Sequence, residues 1–166
     1  MTEAQSQRAA EVERRESDTW VRESLEDQEA TTLTQEGLQA ILASDNYAIL
    51  TGENPNNSTL SEAANAQRNQ AARNWLRSKG LKFHEVKGRY DGKGENSLIV
   101  EGMTTEQAKE FAREFGQHSV VTPQGLIKGD GSIGSLGDVQ FRDAVEDGDN
   151  FFTAVKLADG TTVGFA

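Results

Sequence analysis

The chain has 166 residues, 35% of them hydrophobic and 27% charged, values that suit one soluble domain with its own core and speak against two large ones. Its formal charge of −10 argues against direct binding to nucleic acid or to an anionic membrane, since both reward a basic surface. With no cysteine and only two histidines, disulfides, thiolate chemistry, cysteine-ligated zinc and histidine-rich centres are excluded, and no metal or cofactor is expected.

The amino terminus lacks the basic-then-apolar order of a secretory signal, and no run of about eighteen apolar residues occurs anywhere, so a cytoplasmic location is expected, that of the host if the protein is phage-encoded. Residues 1–33 are poor in large apolar groups, and nine acidic residues there face Arg8, Arg14, Arg15 and Arg22. This predicts an acidic helical or partly disordered arm. Trp20, Val21 and Leu25 fall close together in helical projection and make a small docking patch, either for the chain's own domain or for a protein partner.

Residues 34–166 read as one α+β domain. Leu38, Ile41 and Leu42 mark a short amphipathic helix from Thr34 to Ala43, and Tyr47-Ala-Ile-Leu-Thr51 reads as a buried strand. The cluster Gly52-Glu-Asn-Pro-Asn-Asn-Ser58 is a turn, with Pro55 biasing Asn54 away from helical geometry. A long helix follows. Thr59 and Glu62 have capping-box spacing, Leu60, Ala64, Ala71 and Trp75 lie near one face, and Gly80 ends it. Residues 81–89 alternate as a strand with Leu81 and Phe83 on one face and His84 outward on the surface, and Asp91 to Glu95 turns into the strand Leu98-Ile-Val100.

The clearest element is the next helix. Thr104 and Gln107 stand at capping-box positions, Ala108, Phe111, Ala112 and Phe115 form one apolar stripe, and Gly116 follows where a left-handed cap is wanted. A strand from His118 to Val121 and a Pro123 turn come next. The order strand, helix, strand, strand, helix, strand over residues 47–121 predicts a ferredoxin-like split βαβ sheet with helices on one face. Strands at Phe151 to Leu157 and Thr162 to Phe165, joined at Asp159-Gly160, extend or flank it.

Several patterns touch on chemistry. Gly129-Asp-Gly-Ser-Ile-Gly134 spells G-x-G-x-x-G, but no helix opens behind it, so Gly125 to Gly137 is expected to be a flexible surface loop without phosphate or metal. A lid over a nearby site is its functional alternative. Asp130, Asp138, Asp143, Glu146, Asp147 and Asp149 lack the ligand order of a calcium loop and read as a solvated acidic stretch. Glu85-Val-Lys87 has the Glu-x-Lys spacing of metal-dependent nucleases without a well-placed aspartate before it. His118 is a candidate general base, set against the plainer role of a strand-opening residue bonded to backbone.

The most suggestive polar set draws on separate segments. Asn65, Arg68 and Asn69 share one face of the long helix, Asn54 sits in the turn before it, Glu95 and Ser97 open a strand, and Gln117 follows a glycine cap. In a split βαβ sheet these positions can converge on one edge, with Arg68 holding an anion and Glu95 acting as acid or base. The plainer reading is caps and turn bonds.

Tyr47 to Pro55, the Asn65 to Asn69 helix, Gly88, Glu95-Asn-Ser97 and the run from Phe111 to Gln117 ending Phe-Gly-Gln resemble a small bacterial and phage family known only as a domain of unknown function. The resemblance covers about residues 45–125 and brings no established reaction. It points to Asn54, Asn65, Asn69, Glu95, Ser97 and Gln117, while Gly52-Glu53, the acidic arm and the glycine-rich tail depart from the family pattern. The leading expectation is a cytoplasmic accessory protein, with phage encoding as one origin, that binds a protein partner through its acidic surface and N-terminal helix. The alternative is a small-ligand or nucleotide-processing enzyme built on the polar set.

Overall fold

The computed structural model describes residue 15 and residues 20–55, 60–90, 93–117, 119–128, 130, 132–134, 141–142 and 151–165. His118, Thr59, Gly129, Gly131 and the acidic residues from Asp138 to Asp149 lie outside them. The described helices are α1 (Trp20–Asp27), α2 (Gln35–Ala43), α3 (Glu62–Ser78) and α4 (Thr105–Glu114). The strands are β1 (Tyr47–Leu50), β2 (Lys82–Tyr90), β3 (Lys93–Glu101), β4 (Ser119–Thr122), β5 (Gly125–Lys128), β6 (Ile133–Gly134), β7 (Phe141–Arg142), β8 (Phe151–Lys156) and β9 (Thr162–Phe165).

These strands form one antiparallel sheet in the order β6-β5-β4-β1-β3-β2-β8-β9-β7. Its middle, β4-β1-β3-β2, is the split βαβ order, so the α+β fold class read from the sequence holds. Because all four residues of β1 are apolar and buried, the sheet is covered on both faces. Ala48, Leu50, Leu98 and Val100 face α3 and α4, where Leu76, Phe111 and Ala112 complete a core. Tyr47, Ile49 and Ile99 take the opposite face with Leu38 and Ile41 of α2. Helices therefore lie on both faces, not on one, because α2 brings its own apolar stripe.

The capping box of α4 forms as predicted, Thr104 accepting from the Gln107 N–H and Gln107 from the Thr104 N–H, and Gly116 takes φ +63° beyond its end. Its Phe111 ring stacks on Phe115 at 4.5 Å and meets Trp75 of α3 edge-on at 5.5 Å.

Three expectations are corrected. His84 is 7% exposed and its ring Nε2 lies 2.8 Å from Glu101 Oε2, so it is a paired, buried group, not a surface one. Gly125 to Lys128 is a strand whose Ile127 is fully buried, and Ile133-Gly134 pairs with it, so the described part of the glycine-rich segment extends the sheet. On α3 the buried stripe is Asn65, Asn69, Ala72 and Leu76, not the face of Ala64, Ala71 and Trp75, and the N-cap is Ser61. The spacing 65, 69, 72, 76 is a regular helical stripe that two asparagines hid.

Helix α1 packs on the α3 side of the sheet. Trp20, Val21 and Leu25 are buried with Ala154 of β8, and Lys156 Nζ donates to the Gln28 carbonyl at the helix end at 2.9 Å. A Cβ at Gly94 of β3 would stand 2.3 Å from the Trp20 ring, so only glycine lets the indole lie flat against the strand. The candidate partner patch is thus spent inside the chain.

Candidate functional site

The loop Thr51 to Pro55 leaves β1 and passes beneath α3. A Cβ at Gly52 would sit 2.6 Å from the Arg68 carbonyl oxygen, which is why loop and helix can touch there. The two buried asparagines of α3 take the polar atoms this close passage exposes. Asn69 Oδ1 accepts from the Gly52 N–H at 2.8 Å, and its Nδ2 donates to the Asn96 carbonyl at 3.2 Å. Asn65 Oδ1 accepts from the Asn54 N–H at 3.0 Å, and its Nδ2 donates to Asn54 Oδ1 at 3.0 Å. Asn54 has φ +48°, a left-handed conformation that asparagine tolerates.

Arg68 and Gln117 close the scaffold from the other side. Arg68 Nε donates to the Gly52 carbonyl at 2.6 Å and its guanidinium also to the Phe115 carbonyl, while Gln117 Nε2 donates to the Glu53 carbonyl at 3.1 Å. Asn54, Asn65, Arg68, Asn69 and Gln117 therefore do converge, but on the backbone of residues 51–55. They are spent on holding the loop.

What the loop presents is Glu53. Its side chain is 1% exposed, and its Oε1 accepts from Arg15 at 2.6 Å and from the Asn96 N–H at 3.0 Å, while Oε2 accepts from Asn96 Nδ2 at 3.3 Å. A buried carboxylate needs such partners, because stripping it of water costs several kcal/mol, on the order of a broken buried ion pair. Asn96 Oδ1 in turn accepts from Lys87 Nζ.

Glu53 stands in the wall of a cavity of about 690 Å³ between α1 and α3. Lys87, Asn96, Glu85 and Leu98 of β2 and β3 form its floor; Trp20, Ser24 and Gln28 form one wall, and Glu62, Ala63, Ala66, Asn69 and Arg73 the other. Arg73 pairs with Glu85 at 2.5 Å. Burial pulls the Lys87 ammonium below its ordinary value of 10.5, against the pull of Glu85 and Glu53, so this amine is more easily deprotonated than a surface lysine. The lining carries Arg15, Arg73 and Lys87 against Glu53, Glu62 and Glu85, equal numbers on a chain with 17 basic and 27 acidic residues. Such a cleft can orient a small molecule that bears charges of either sign.

Glu95 and Ser97 do not join it. The unbroken β2–β3 register pairs Glu95 with Gly88 and Ser97 with Val86, so strand alternation sends both side chains to the face opposite Asn96 and Leu98. Ser97 contributes only its strand position to the cleft edge, and its buried Oγ has no hydrogen-bond partner. Glu95 as acid or base for the asparagine set is therefore withdrawn.

The sequence reading missed Glu53, Arg15 and Asn96, and gave Lys87 only a passing role. The alternation of β3 could have separated Asn96 from its neighbours; nothing local marks Arg15. Among the described residues no group of histidine, cysteine and carboxylates is placed to hold a metal, and no helix is long and apolar enough to cross a membrane. No curated protein matches this chain. Residues 50–120, the stretch that supplies Glu53, α3, Lys87, Asn96 and α4, are similar to a family described as Protein of unknown function (DUF3293).

Proposed function

We propose that this protein binds a small polar ligand in the cleft between α1 and α3, as a cytoplasmic binding protein. The observation that carries the reading is the convergence of three cationic and three anionic side chains on a cavity whose deepest carboxylate, Glu53, is held by a loop with its own polar scaffold. Ala63 and Ala66 are the small residues on the α3 wall that leave the space open. A chain selected only for stability gains nothing from an unfilled polar cleft beside a buried ion pair.

The test is a thermal-shift screen of amino acids, nucleotides and other polar metabolites against the wild type and Ala66→Leu. Ala66 is exposed on α3, so leucine there fills the cleft without disturbing the core. A ligand at a hundred times its dissociation constant adds about 2.7 kcal/mol to stability. At least one compound class is expected to raise the wild-type melting temperature and to lose that effect in Ala66→Leu. Identical responses of the two proteins across the screen would contradict the reading.

A second reading, capture of a protein partner by the acidic surface, is favoured by the charge of −10. In this conformation it cannot use Trp20, Val21 and Leu25 as anchors, since they are buried against Ala154. It predicts co-purification of a basic protein that weakens with added salt.

A further inference from the structure

We infer that the Glu53–Asn96 corner of the cleft is a subsite for a guanidinium group, and that Arg15 fills it as an internal stand-in for the guanidino end of a small ligand. The inference rests on the reading of the cleft as a ligand site and names the class of compound it takes.

The geometry is that of guanidinium recognition. Arg15 presents NH1 and NH2 to the two oxygens of Glu53 at 2.6 and 3.4 Å, and its Cζ lies 5.2 Å from the centre of the Trp20 ring. A planar cation that meets a carboxylate with two N–H groups while stacking on an aromatic face is a pattern arginine satisfies and an ammonium does not. The remaining acceptor directions of Glu53 are taken by the Asn96 N–H and Nδ2, which fixes the carboxylate for that one approach.

Arg15 is nevertheless an imperfect occupant. Its Nε is buried without a hydrogen-bond partner among the described residues, and stands 4.0 Å from Glu62 Oε1. Glu53, Asn96 and α3 lie within residues 50–120, the stretch similar to a protein family, whereas Arg15 lies outside it. The subsite thus lies in the sheet-and-helix body of the chain, with Glu53 at a position where the chain departs from the family pattern, and its filler lies in the arm before it. Beyond the guanidinium, Arg73 is taken up by Glu85 and Glu62 adds a second carboxylate, so Lys87, which bonds the neutral Asn96 amide, is the cation placed to meet a carboxylate at the other end of the ligand. The inferred class is a short guanidino acid.

A tethered arginine competes at an effective concentration in the millimolar range, so it lowers the apparent affinity of the wild type for a free guanidino compound. Calorimetric titration with 4-guanidinobutanoate, and with 4-aminobutanoate as the ammonium control, tests this. Arg15→Ala is expected to bind the guanidino compound at least tenfold more tightly than the wild type does, and at least tenfold more tightly than it binds the amine; adding Glu53→Gln is expected to abolish the gain. Should Arg15→Ala fail to fold, Arg15→Gln keeps a polar side chain of similar reach without the cation and is expected to show the same tenfold gain over wild type.

The chain has two tryptophans, so Trp75→Phe, which keeps an aromatic ring beside Phe111, leaves Trp20 as the reporter of displacement. Saturating 4-guanidinobutanoate is expected to shift its emission, and no shift at saturation would overturn the displacement of Arg15. No gain in either variant, or an equal gain for the amine, overturns the inference. If the wild type then still shows cleft ligands that Ala66→Leu excludes, the cleft reading stands without it; if it shows none, both fall.

Discussion

Glu53 is the residue on which the site turns, and its setting shows how a carboxylate is kept inside a protein. It receives the Arg15 guanidinium on one side and two donors of Asn96 on the other, and the loop that carries it is fixed by Asn65, Arg68, Asn69 and Gln117. Lys87 lies one hydrogen bond further out, through Asn96, and its depressed pKa yields a pH prediction. Below the folded-state value both forms of the chain hold the Lys87 proton and the whole burial penalty is felt. Between that value and 10.5 the unfolded chain binds the proton and the folded one does not, so the unfolding free energy rises with pH across this window. The stability difference between wild type and Lys87→Met should therefore shift in favour of the wild type as pH climbs toward 10.5, read from urea titrations at a series of alkaline pH values. A difference that stays flat would show that Lys87 is not buried as described. At this scale the sequence was half legible. The polar set could be read because asparagines at i and i+4 share a face, but a composition-based reading treats asparagine as surface, and here Asn65 and Asn69 sit on the buried stripe because the loop backbone needs partners there.

Among the elements, α4 was the most legible because its cap, stripe and terminating glycine all agree, and helix and stripe appear where expected. Phe111 is fully buried between Phe115 and Trp75, so Phe111→Ala should cost about 3 to 5 kcal/mol in a urea titration, and a loss below about 1 kcal/mol would contradict the packing of α4 on α3 and the sheet. The strand pair β2–β3 was less legible. Glu95 and Ser97 join the asparagine set in the sequence reading because they open a strand, whereas the period of two in β3 sends them to the face opposite Asn96. The segment after Pro123 reads as a loop by its glycines, yet Leu126 and Ile127 pair with Val121 and Val120, and cross-strand partners outweigh a weak local preference.

For the whole molecule, the alternation of strands and helices was enough to predict the β4-β1-β3-β2 centre, because connection rules leave few topologies for that order. The placement of α1 was not predictable in the same way. Its apolar patch fits either the sheet or a partner, and what decides for the sheet is a glycine some seventy residues away, Gly94, whose missing side chain admits the Trp20 ring. That docking makes the cleft, since α1 supplies one wall and α3 the other. Hydrogen exchange in the presence of the compound that most raises the melting temperature tests the site most directly. Slowed exchange is predicted in Thr51 to Pro55, in Lys93 to Leu98 and in α1, the segments that surround Glu53; slowing confined to β4, β5 and β6 at the far edge of the sheet, or none in the Glu53 loop, would contradict it.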